Sequence, residues 1–416
     1  GPTIDMIEQG KRMEKGIEGC PSVKISPAID FFRHIDKEVS GEKHLPTWCG
    51  ELYLEYHRGT LTSQARNKKY NRKSECLYSD VELLSGMAMK KTGFSYPSER
   101  LLENWKTILL NQFHDIIPGS SIKAVYDDSK LQYEEVLKNG CEMASEAEAA
   151  IVSKIDLESD SIVLFNTTGF LRKDAVVTEA PSDGEFSLYD VDGSEIAFQK
   201  TYDGKIVFVT EIPAKGYKAV SVKYEKGKDF KEISADSTHA DTKYFDVEFN
   251  GEYNISKLLH KKSGRNVAPE GETLGKLTAY QDRPHHYEAW DVKCYYKELS
   301  WDFDFIGAEL IEKGAVRCVY KVDRRFRNSV ISEYYIIYSE LERIDIEYKT
   351  DWKEKNAIVK ADYPVDVNAT RATFDIQFGN IERATTENTT WDFAQFEVSM
   401  HKWVDLSDNS FGLSVL

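Results

Sequence analysis

The stretch PSERLLENWKTILLNQFHD, residues 97–115, decides the class of fold in the first third of this chain. Its apolar residues recur every three or four positions, the period of one helix face. The stripe comprises Leu101, Leu102, Trp105, Ile108, Leu109 and, at its end, Gln112. Ser98 offers only a partial N-cap, because Leu101 stands where a capping box has Glu. We predict an amphipathic helix with one buried face.

Similar patterns extend on both sides of this stretch. Residues 66–93 and 121–155 form two long helical patterns, and we expect the second helix to kink near Gly140. Two shorter patterns occupy the first forty residues, each with a proline near its start. Three long helices with short links predict a three-helix bundle.

The pattern changes near residue 160. Short apolar runs alternate there with the turn signals NTTG (166–169), PSDG (181–184) and DVDG (190–193), which predicts strands joined by turns. EKGKD, residues 225–229, reads as a linker. Beyond residue 240 the alternating runs lengthen, and SVISEYYIIYSELERIDIEYKTDW (329–352) predicts two long strands. Such a series of strands is typical of a β-sandwich.

The composition excludes two classes of partner. Lys and Arg number 54 and Asp and Glu number 70, which gives a net charge of 54 − 70 = −16, and no basic stripe is present. A nucleic-acid partner is therefore not expected. Since no apolar run approaches the ~20 residues of a membrane span, a membrane is not expected either. The six cysteines have no close spacing, which favours reduced thiols and a cytoplasmic location.

His114 and Asp115 form the first candidate site, at the end of the predicted helix. From the residues alone, the ordinary interpretation is structural: the imidazole interacts with the last helical carbonyls, and the carboxylate caps the next turn. A single histidine does not make a zinc site, which needs several ligands.

Glu51 and Glu55 form the second candidate site, within LPTWCGELYLEYHRGTLTSQ (45–64). Either a helix or a strand would place residues four apart on one side. Paired carboxylates beside aromatic residues suit glycoside hydrolysis, which needs a proton donor and a second carboxylate. The alternative is a solvated acidic face, because structural ion pairs also gather carboxylates.

Two further stretches are dense in polar and aromatic residues. YQDRPHHYEAWDVKCYY (280–296) is either a functional loop or an ordinary loop at a strand edge. In residues 378–408, the residues Arg383, Trp391, His401 and Trp403 form either a sugar platform or sandwich core. The alternation of Phe396 and Val398 with polar residues favours the core.

Four segments follow one another in a fixed order at broad intervals: GELYLEYHRGTLTSQ (50–64), LLNQFHDIIPGSSI (109–122), DRPHHYEAWDV (282–292) and HKWVDLSD (401–408). Together they resemble glycoside hydrolase family 38, the retaining α-mannosidases, and especially the bacterial and cytosolic branch. The resemblance runs from residue 1 to residue 416.

The resemblance implies an α+β multidomain fold. Residues 1–45 would be the end of a (β/α)7 barrel domain, 46–157 a three-helix bundle as middle domain, 158–228 a small β domain and 229–416 a large, truncated β-sandwich. It also implies that the chain is an incomplete part of its protein. The catalytic nucleophile, an Asp, and the rest of the barrel would lie upstream of residue 1, and this piece alone would be inactive.

The resemblance also implies roles for particular residues. His114 matches a ligand of one Zn²⁺ that shares its other ligands with the missing barrel, and Asp115 would contact the metal's surroundings or a sugar hydroxyl. Glu51 most nearly matches the general acid/base, with Glu55 as second choice, and Tyr287 matches an aromatic residue that contacts the sugar. The expected substrate is a mannose-containing oligosaccharide that loses terminal α-linked mannose. The alternative is a non-catalytic carbohydrate-binding or scaffolding β-sandwich module, and a homo-oligomer stays open.

Overall fold

The computed structural model describes residues 1–157 and 159–416 and shows an α+β protein. Its α-helices are α1 (Ile4–Glu14), α2 (Ala28–Val39), α3 (Ala65–Thr92), α4 (Ser98–Asn111), α5 (Lys123–Val152) and α6 (Thr390–Ala394). In these described ranges, no helix combines the length and apolarity that crossing a bilayer requires. The chain divides into two compact units, Gly1–Tyr53 and Leu54–Leu416.

The first unit contains α1 and α2. The Thr3 hydroxyl caps α1 by accepting a 3.3 Å hydrogen bond from the Met6 amide. Gly10 of α1 packs under Ile25, where an added Cβ would lie 2.9 Å from Cδ1 of that side chain. No strand occurs within residues 1–53. The expected barrel end at residues 1–45 is thus represented by two helices, and its assignment to a barrel stays a prediction.

Helices α3, α4 and α5 share a core in the second unit. The buried positions of α5 recur at intervals of three or four residues, the spacing with which helices pack side by side; they are Tyr126, Ser129, Tyr133, Val136, Gly140, Met143, Ala147 and Ile151. Buried residues of α3 and α4 complete the core, among them Tyr78, Val81, Leu101 and Ile108. The predicted helical bundle is confirmed, while the domain boundaries at 46–157, 158–228 and 229–416 remain predictions.

One detail of the predicted helix α4 is wrong: Ser98 is not its N-cap, which is Pro97, with no side-chain cap. Helix α5 continues through Gly140 from Lys123 to Val152, and the kink expected there stays a prediction. Gly140 marks close contact with α3, because an added Cβ would lie 2.6 Å from Leu77 Cδ2 and 2.9 Å from Tyr78 Cε2.

The predicted helix stripe is also only half right. Leu101 and Ile108 of α4 are buried, whereas Leu102 and Leu109 are exposed. Asn104 and Asn111 are buried in their place. Each asparagine side chain donates to the backbone carbonyl four residues earlier, Asn104 to Arg100 at 2.7 Å and Asn111 to Thr107 at 3.0 Å. These hydrogen bonds explain how amides occupy the buried face.

Residues 161–223 form two small antiparallel sheets that enclose one core. Their strands are β1 (Ser161–Asn166), β2 (Arg172–Thr178), β3 (Ser187–Tyr189), β4 (Glu195–Ile196), β5 (Phe198–Lys200), β6 (Ile206–Ile212) and β7 (Gly216–Lys223). The sheet orders are β1-β7-β3-β4 and β2-β6-β5. Leu188, Phe208 and Val220 are completely buried in this core. Asn166 is also buried, and its amide donates to Ile212 O at 3.1 Å and Phe170 O at 2.9 Å.

Residues 234–415 form four further antiparallel sheets. Their strands are β8 (Ser234–Ala235), β9 (His239–Asp241), β10 (Phe245–Phe249), β11 (Ile255–His260), β12 (Arg265–Asn266), β13 (Lys276–Gln281), β14 (Ser300–Asp302), β15 (Asp304–Lys313), β16 (Arg317–Phe326), β17 (Ser329–Tyr338), β18 (Ile344–Asp351), β19 (Ala357–Asp362), β20 (Arg371–Ile376), β21 (Gly379–Ala384), β22 (Val404–Ser407) and β23 (Gly412–Val415). The sheet orders are β12-β11-β10-β9-β8, β14-β13-β19, β15-β16-β17-β18 and β21-β20-β22-β23. The predicted strand pair at 329–352 is confirmed as β17 and β18.

The largest core of this region lies between β8–β12 and β15–β18, and Tyr320 and Tyr335 are completely buried in it. An ion pair is buried beside them: the Arg324 guanidinium donates to the Glu333 carboxylate. Arg324 also donates a 2.9 Å hydrogen bond to the side-chain oxygen of Asn254, which is itself buried. Burial of two charges is tolerated here because they are paired and further hydrogen-bonded.

Gln199 connects the small sheets to β15 and β16. Its amide nitrogen donates to Glu312 Oε1 at 2.8 Å and to Arg317 O at 3.0 Å. Its amide oxygen accepts from the backbone nitrogens of Val316 and Arg317, at 2.8 and 3.0 Å. One side chain of β5 therefore satisfies four polar groups on the neighbouring β hairpin.

Candidate functional site

Arg58, within residues 45–64, contacts two other stretches that the sequence marks as functional, residues 280–296 and 378–408. It begins a 3₁₀ helix, Arg58–Leu61, and is 8% exposed. Its guanidinium donates to the Glu55 carbonyl and, at 2.8 Å, to the Ala394 carbonyl. It also lies 3.8 Å from Asp291 Oδ1 and stacks 4.4 Å from the Phe396 ring centre. A buried cation is thus paired with a carboxylate, two carbonyls and an aromatic face.

The backbone beside Arg58 packs tightly on the 280–296 stretch. A Cβ added to Gly59 would lie 3.1 Å from the Asp291 nitrogen, so this position accommodates only a small residue. His57 adopts a left-handed conformation, with φ of 67°, and its ring contacts that of Trp290 edge-on at 4.8 Å. Ser63 adds a hydrogen bond of 2.8 Å from its hydroxyl to Ala289 O.

The turn after α4 contacts the same region. Gly119 has φ of 92°, and an added Cβ would lie 2.6 Å from Ser63 O. Lys68 links the two segments by donating to Ser63 O and, at 2.8 Å, to Ile117 O. Burial lowers the pKa of Lys68 to about 8, because the charged ammonium is removed from water. The structure therefore brings residues 109–122 together with the stretches 45–64, 280–296 and 378–408, through contacts at Arg58 and at Ser63.

The two candidate carboxylates do not share a helix or strand. Residues 51–57 are irregular, so the expectation that regular periodicity places Glu51 and Glu55 on one side is wrong. Glu51 lies in the first unit, partly buried, and its backbone carbonyl accepts a 3.1 Å hydrogen bond from Trp48 Nε1. Glu55 lies in the second unit and is exposed.

His114 and Asp115 lie in the turn that follows α4. The His114 side chain is 78% exposed, its ring is 4.2 Å from that of Phe113, and its Nε2 lies 3.6 Å from Asp115 Oδ2. Two adjacent donors, one nitrogen and one oxygen, are chemically suited to zinc but do not complete its usual four ligands. Among residues 1–157 and 159–416, no three His, Cys, Asp or Glu side chains form a group that could hold a metal ion.

Tyr287 presents its ring at the surface, with 70% of the residue exposed. Its backbone has φ of 64°, and its carbonyl accepts hydrogen bonds from Trp290 and Asp291 at 2.8 and 2.9 Å. The turn fixes the backbone of Tyr287 next to the residues that contact Arg58 and His57. Within the described ranges, no hydrogen bond or ring contact joins the side chains of Glu55, His114 and Tyr287 directly.

A cleft of about 490 Å³ opens beside Arg58. Its lining includes Glu55, Tyr56, Lys293, Trp391 and Phe393. Trp391 is 67% exposed, so the interpretation of this tryptophan as sandwich core is wrong. The alternation of Phe396 and Val398, which favours a core, lies beyond α6, and Trp391 and Phe393 within this helix are exposed. Arg383, by contrast, is buried, with its guanidinium 4.7 Å from the Phe374 ring centre.

Asp282 is a second unusual group of the 280–296 stretch. Its Oδ1 is buried and accepts no hydrogen bond from the described residues. Burial, with smaller contributions from the Glu288 and Asp291 carboxylates, raises the pKa of Asp282 to about 6. The protonated form is favoured because it carries no charge into this acidic surrounding.

The residue that sequence reasoning missed is Arg58. Its partners Asp291, Ala394 and Phe396 are distant in the chain, so spacing gives no sign of the contact. The only local signal is a lone arginine before Gly59, inside a stretch rich in aromatic residues.

Comparison with known families gives two matches. Residues 55–151 match the alpha mannosidase middle domain. Residues 240–416 match the glycosyl hydrolases family 38 C-terminal domain. The first range covers the bundle helices, and the second covers β10 to β23 and α6.

Curated relatives are similar along the whole chain. Alpha-mannosidase 2C1 of Homo sapiens is 29% identical over 430 residues, covering 100% of this chain and 39% of that protein. Alpha-mannosidase G of Dictyostelium discoideum is 29% identical, covering 100% and 41%. Alpha-mannosidase of Saccharomyces cerevisiae is 29% identical, covering 100% and 36%. The chain therefore spans about two fifths of the length of these relatives.

A solved structure shares the fold. An alpha-mannosidase from Enterococcus faecalis V583 superposes with a TM-score of 0.76 at 16% identity, covering 99% of this chain and 55% of that one.

Proposed function

Because this chain carries the middle and C-terminal domains of glycosyl hydrolase family 38, we propose that it forms part of a retaining, zinc-dependent α-mannosidase. The substrate would be an oligosaccharide from which terminal α-linked mannose is removed. The observation that carries this proposal is the convergence of four separate stretches on Arg58 and Ser63, which leaves Glu55 on an open cleft.

The reaction needs a carboxyl group that changes its protonation state. Its protonated form donates a proton to the glycosidic oxygen as the bond to the sugar breaks, and its carboxylate then takes a proton from the attacking water. Glu51 is our first candidate and Glu55 the second. Glu55 lines the open cleft, where a substrate could reach its carboxyl group, and this supports Glu55 as a candidate beside Glu51. The nucleophilic Asp would come from a part of the protein outside these residues.

His114 would supply one ligand to the zinc ion, and its exposure at the end of the α4 turn supports this role. When bound, the metal would supply Lewis acidity toward sugar hydroxyls. Asp115 would orient the imidazole or accept a hydrogen bond from a sugar hydroxyl. Tyr287 would place an aromatic face beside the sugar.

The metal role is tested by changing His114 to Ala in the complete protein, with the exposed His44 changed to Ala as control. We expect His114→Ala to lose both bound zinc, measured by elemental analysis, and hydrolysis of an aryl α-mannoside. His44→Ala should retain both. If His114→Ala keeps its zinc and its activity, the metal role is wrong.

The acid/base role is tested by Glu51→Gln and Glu55→Gln with two aryl α-mannosides, one with a good and one with a poor leaving group. Loss of the proton donor should slow the poor leaving group by about 10²-fold or more, and the good leaving group much less. The glutamate whose variant shows this difference is the acid/base. If neither variant shows it, both assignments are wrong. Proton NMR of the first-formed anomer tests retention.

We also propose a cytoplasmic location, which the six cysteines support because all of them are free thiols. Fractionation of cells that produce the complete protein would test this.

A further inference from the structure

We infer that the cleft beside Arg58 binds the leaving-group side of the oligosaccharide, the sugars that remain after the terminal mannose is removed. This inference rests on the proposed function. The volume of the cleft, about 490 Å³, lies within the range of pockets that hold small ligands.

The aromatic residues of the cleft suit a sugar. Trp391 and Phe393 both line the cleft, and they are 67% and 49% exposed. Tyr56, which also lines the cleft, is 59% exposed. A sugar ring has an apolar face of C–H groups, which packs on aromatic rings, and hydroxyls at its rim, which stay hydrogen-bonded. Three exposed aromatic residues in one cleft offer surfaces for such packing.

The cleft also carries polar groups that can bind sugar hydroxyls. Glu55 lines the cleft and offers acceptors. Lys293 also lines it and offers donors: its ammonium lies 2.5 Å from Asp291 Oδ2 and 5.5 Å from the Tyr56 ring centre. Since an ammonium has three donors, Lys293 can bind a hydroxyl while it remains paired with Asp291.

The cleft is held in shape from both ends of α6. At the start of the helix, Thr389 and Asp392 form a capping box, with a 3.1 Å bond from the Asp392 nitrogen to the Thr389 hydroxyl. At its end, Arg58 binds the Ala394 carbonyl at 2.8 Å. Because Arg58 also binds the Glu55 carbonyl, one buried side chain links the backbone at Glu55 to the end of α6. A preformed cleft loses less conformational entropy on binding a ligand.

The place of the cleft decides which part of the substrate it would bind. Glu55 is one of the two acid/base candidates, and the acid/base contacts the oxygen of the leaving group. Sugars that extend from this oxygen would enter the space next to Glu55. The terminal mannose would instead be held by His114, Asp115 and the parts of the protein that supply the nucleophile.

The test compares two substrates of the complete protein, an α-linked mannotriose and an aryl α-mannoside that lacks further sugars. We expect Trp391→Ala and Phe393→Ala to raise KM for the mannotriose at least fivefold more than KM for the aryl mannoside. The matched control is Phe378→Ala, since Phe378 is fully exposed on the β20–β21 turn, outside the cleft. Equal KM ratios in all three variants and the unaltered protein would overturn the inference.

Two further measurements keep the inference separate from the proposed function. If the complete protein hydrolyses no α-mannoside, the proposed function fails, and mannotriose binding is measured by titration calorimetry. Mannotriose binding that is weakened in Phe393→Ala but not in Phe378→Ala supports the inference about the cleft, and equal binding in both variants overturns it.

If Trp391→Ala does not fold, Trp391→Phe keeps an aromatic face, and its KM ratio should lie between those of the unaltered protein and Phe393→Ala. An unchanged ratio in both Trp391→Phe and Phe393→Ala contradicts the inference.

Discussion

The guanidinium of Arg58 donates a 2.8 Å hydrogen bond to the carbonyl oxygen of Ala394, 336 residues further along the chain. The same group contacts Asp291, so three distant segments meet at one buried cation. The helical middle region and the last β region are therefore connected by chemistry as well as by packing.

Replacing Arg58 by Ala should lower the free energy of unfolding by about 3 kcal/mol, because Asp291 loses a buried cation and two carbonyls lose a donor. Arg58→Lys should recover only part of this, since an ammonium cannot reproduce the guanidinium's fork of donors. Urea unfolding of the complete protein measures both. As control, Arg72→Ala removes a half-exposed pair with Glu75 within α3 and should change stability by less than about 0.5 kcal/mol. Equal effects of Arg58→Ala and Arg72→Ala would contradict the buried role.

Replacing Gly140 by Ala should destabilise the bundle by about 1 to 2 kcal/mol, although alanine is the better helix former. The added Cβ would lie 2.9 Å from Tyr78, which is completely buried and cannot move aside because its hydroxyl bonds to Val136 O at 2.8 Å. Gly86 in α3 is the matched control, since no atom lies within 4 Å of its added Cβ. Gly86→Ala should stabilise by up to about 1 kcal/mol. Thermal unfolding compares the two, and a shift of the same sign in both would refute the prediction.

Asp282 should make stability depend on pH. Its pKa is about 6 in the folded protein, above the ordinary aspartate value of 3.8, so the folded state binds the proton more tightly than the unfolded chain. Stability contributed by the protonated form is fully present below pH 4 and is lost as pH rises to about 6. After allowance for solvent screening, the loss should be about 1 to 2 kcal/mol.

Asp282→Asn tests this dependence, because it removes the ionisation and keeps the shape. The variant should exceed the unaltered protein in stability above pH 6, by an amount that shrinks toward pH 4. Asp128→Asn, at an exposed position of α5, controls for the loss of one carboxylate. A pH-independent difference between Asp282→Asn and the unaltered protein would disprove the assignment. Urea unfolding at a series of pH values provides the data.

Gln199→Ala should destabilise the protein by about 2 to 3 kcal/mol, because two backbone nitrogens lose their acceptor and Glu312, which keeps Arg317 as a partner, loses one donor. Gln199→Glu should be at least as harmful, since it brings a second carboxylate to Glu312. Gln9→Ala, on the exposed side of α1, is the control and should change stability by less than about 0.5 kcal/mol. Thermal unfolding would contradict this if Gln199→Ala behaved like Gln9→Ala.

The sequence predicts those parts of the fold in which local pattern and packing agree. The spacing of Tyr126, Tyr133, Gly140 and Ala147 in α5 is visible without coordinates and corresponds to its buried face. The alternation in residues 329–352 likewise predicts β17 and β18. Helix α6 has one sequence signal, the capping box Thr389-x-x-Asp392. With only five residues, the helix is too short to produce a periodic apolar pattern.

The site is less accessible from sequence because it depends on distant contacts. Regular periodicity would place Glu51 and Glu55 on one side, yet residues 51–57 form neither helix nor strand. The alternation of Phe396 and Val398 favours a core position for Trp391, but alternation does not show which neighbours cover a residue. Arg58 was missed since its partners come from other parts of the chain. Periodicity predicts which face of a helix or strand is buried, but only the tertiary structure shows which residues pack against that face.

Burial of Asn166 and Asn254 has a consequence for how this chain can mature. Both begin N-x-S/T triplets, as do the exposed Asn368 and Asn388. An N-linked glycan occupies the side-chain nitrogen, which in Asn166 already donates to two carbonyls, and Asn254 is sealed beside Arg324. An N-linked glycan added to either residue during synthesis would prevent the β-sheets from packing around these buried side chains. The native fold thus requires that both asparagines escape oligosaccharyltransferase.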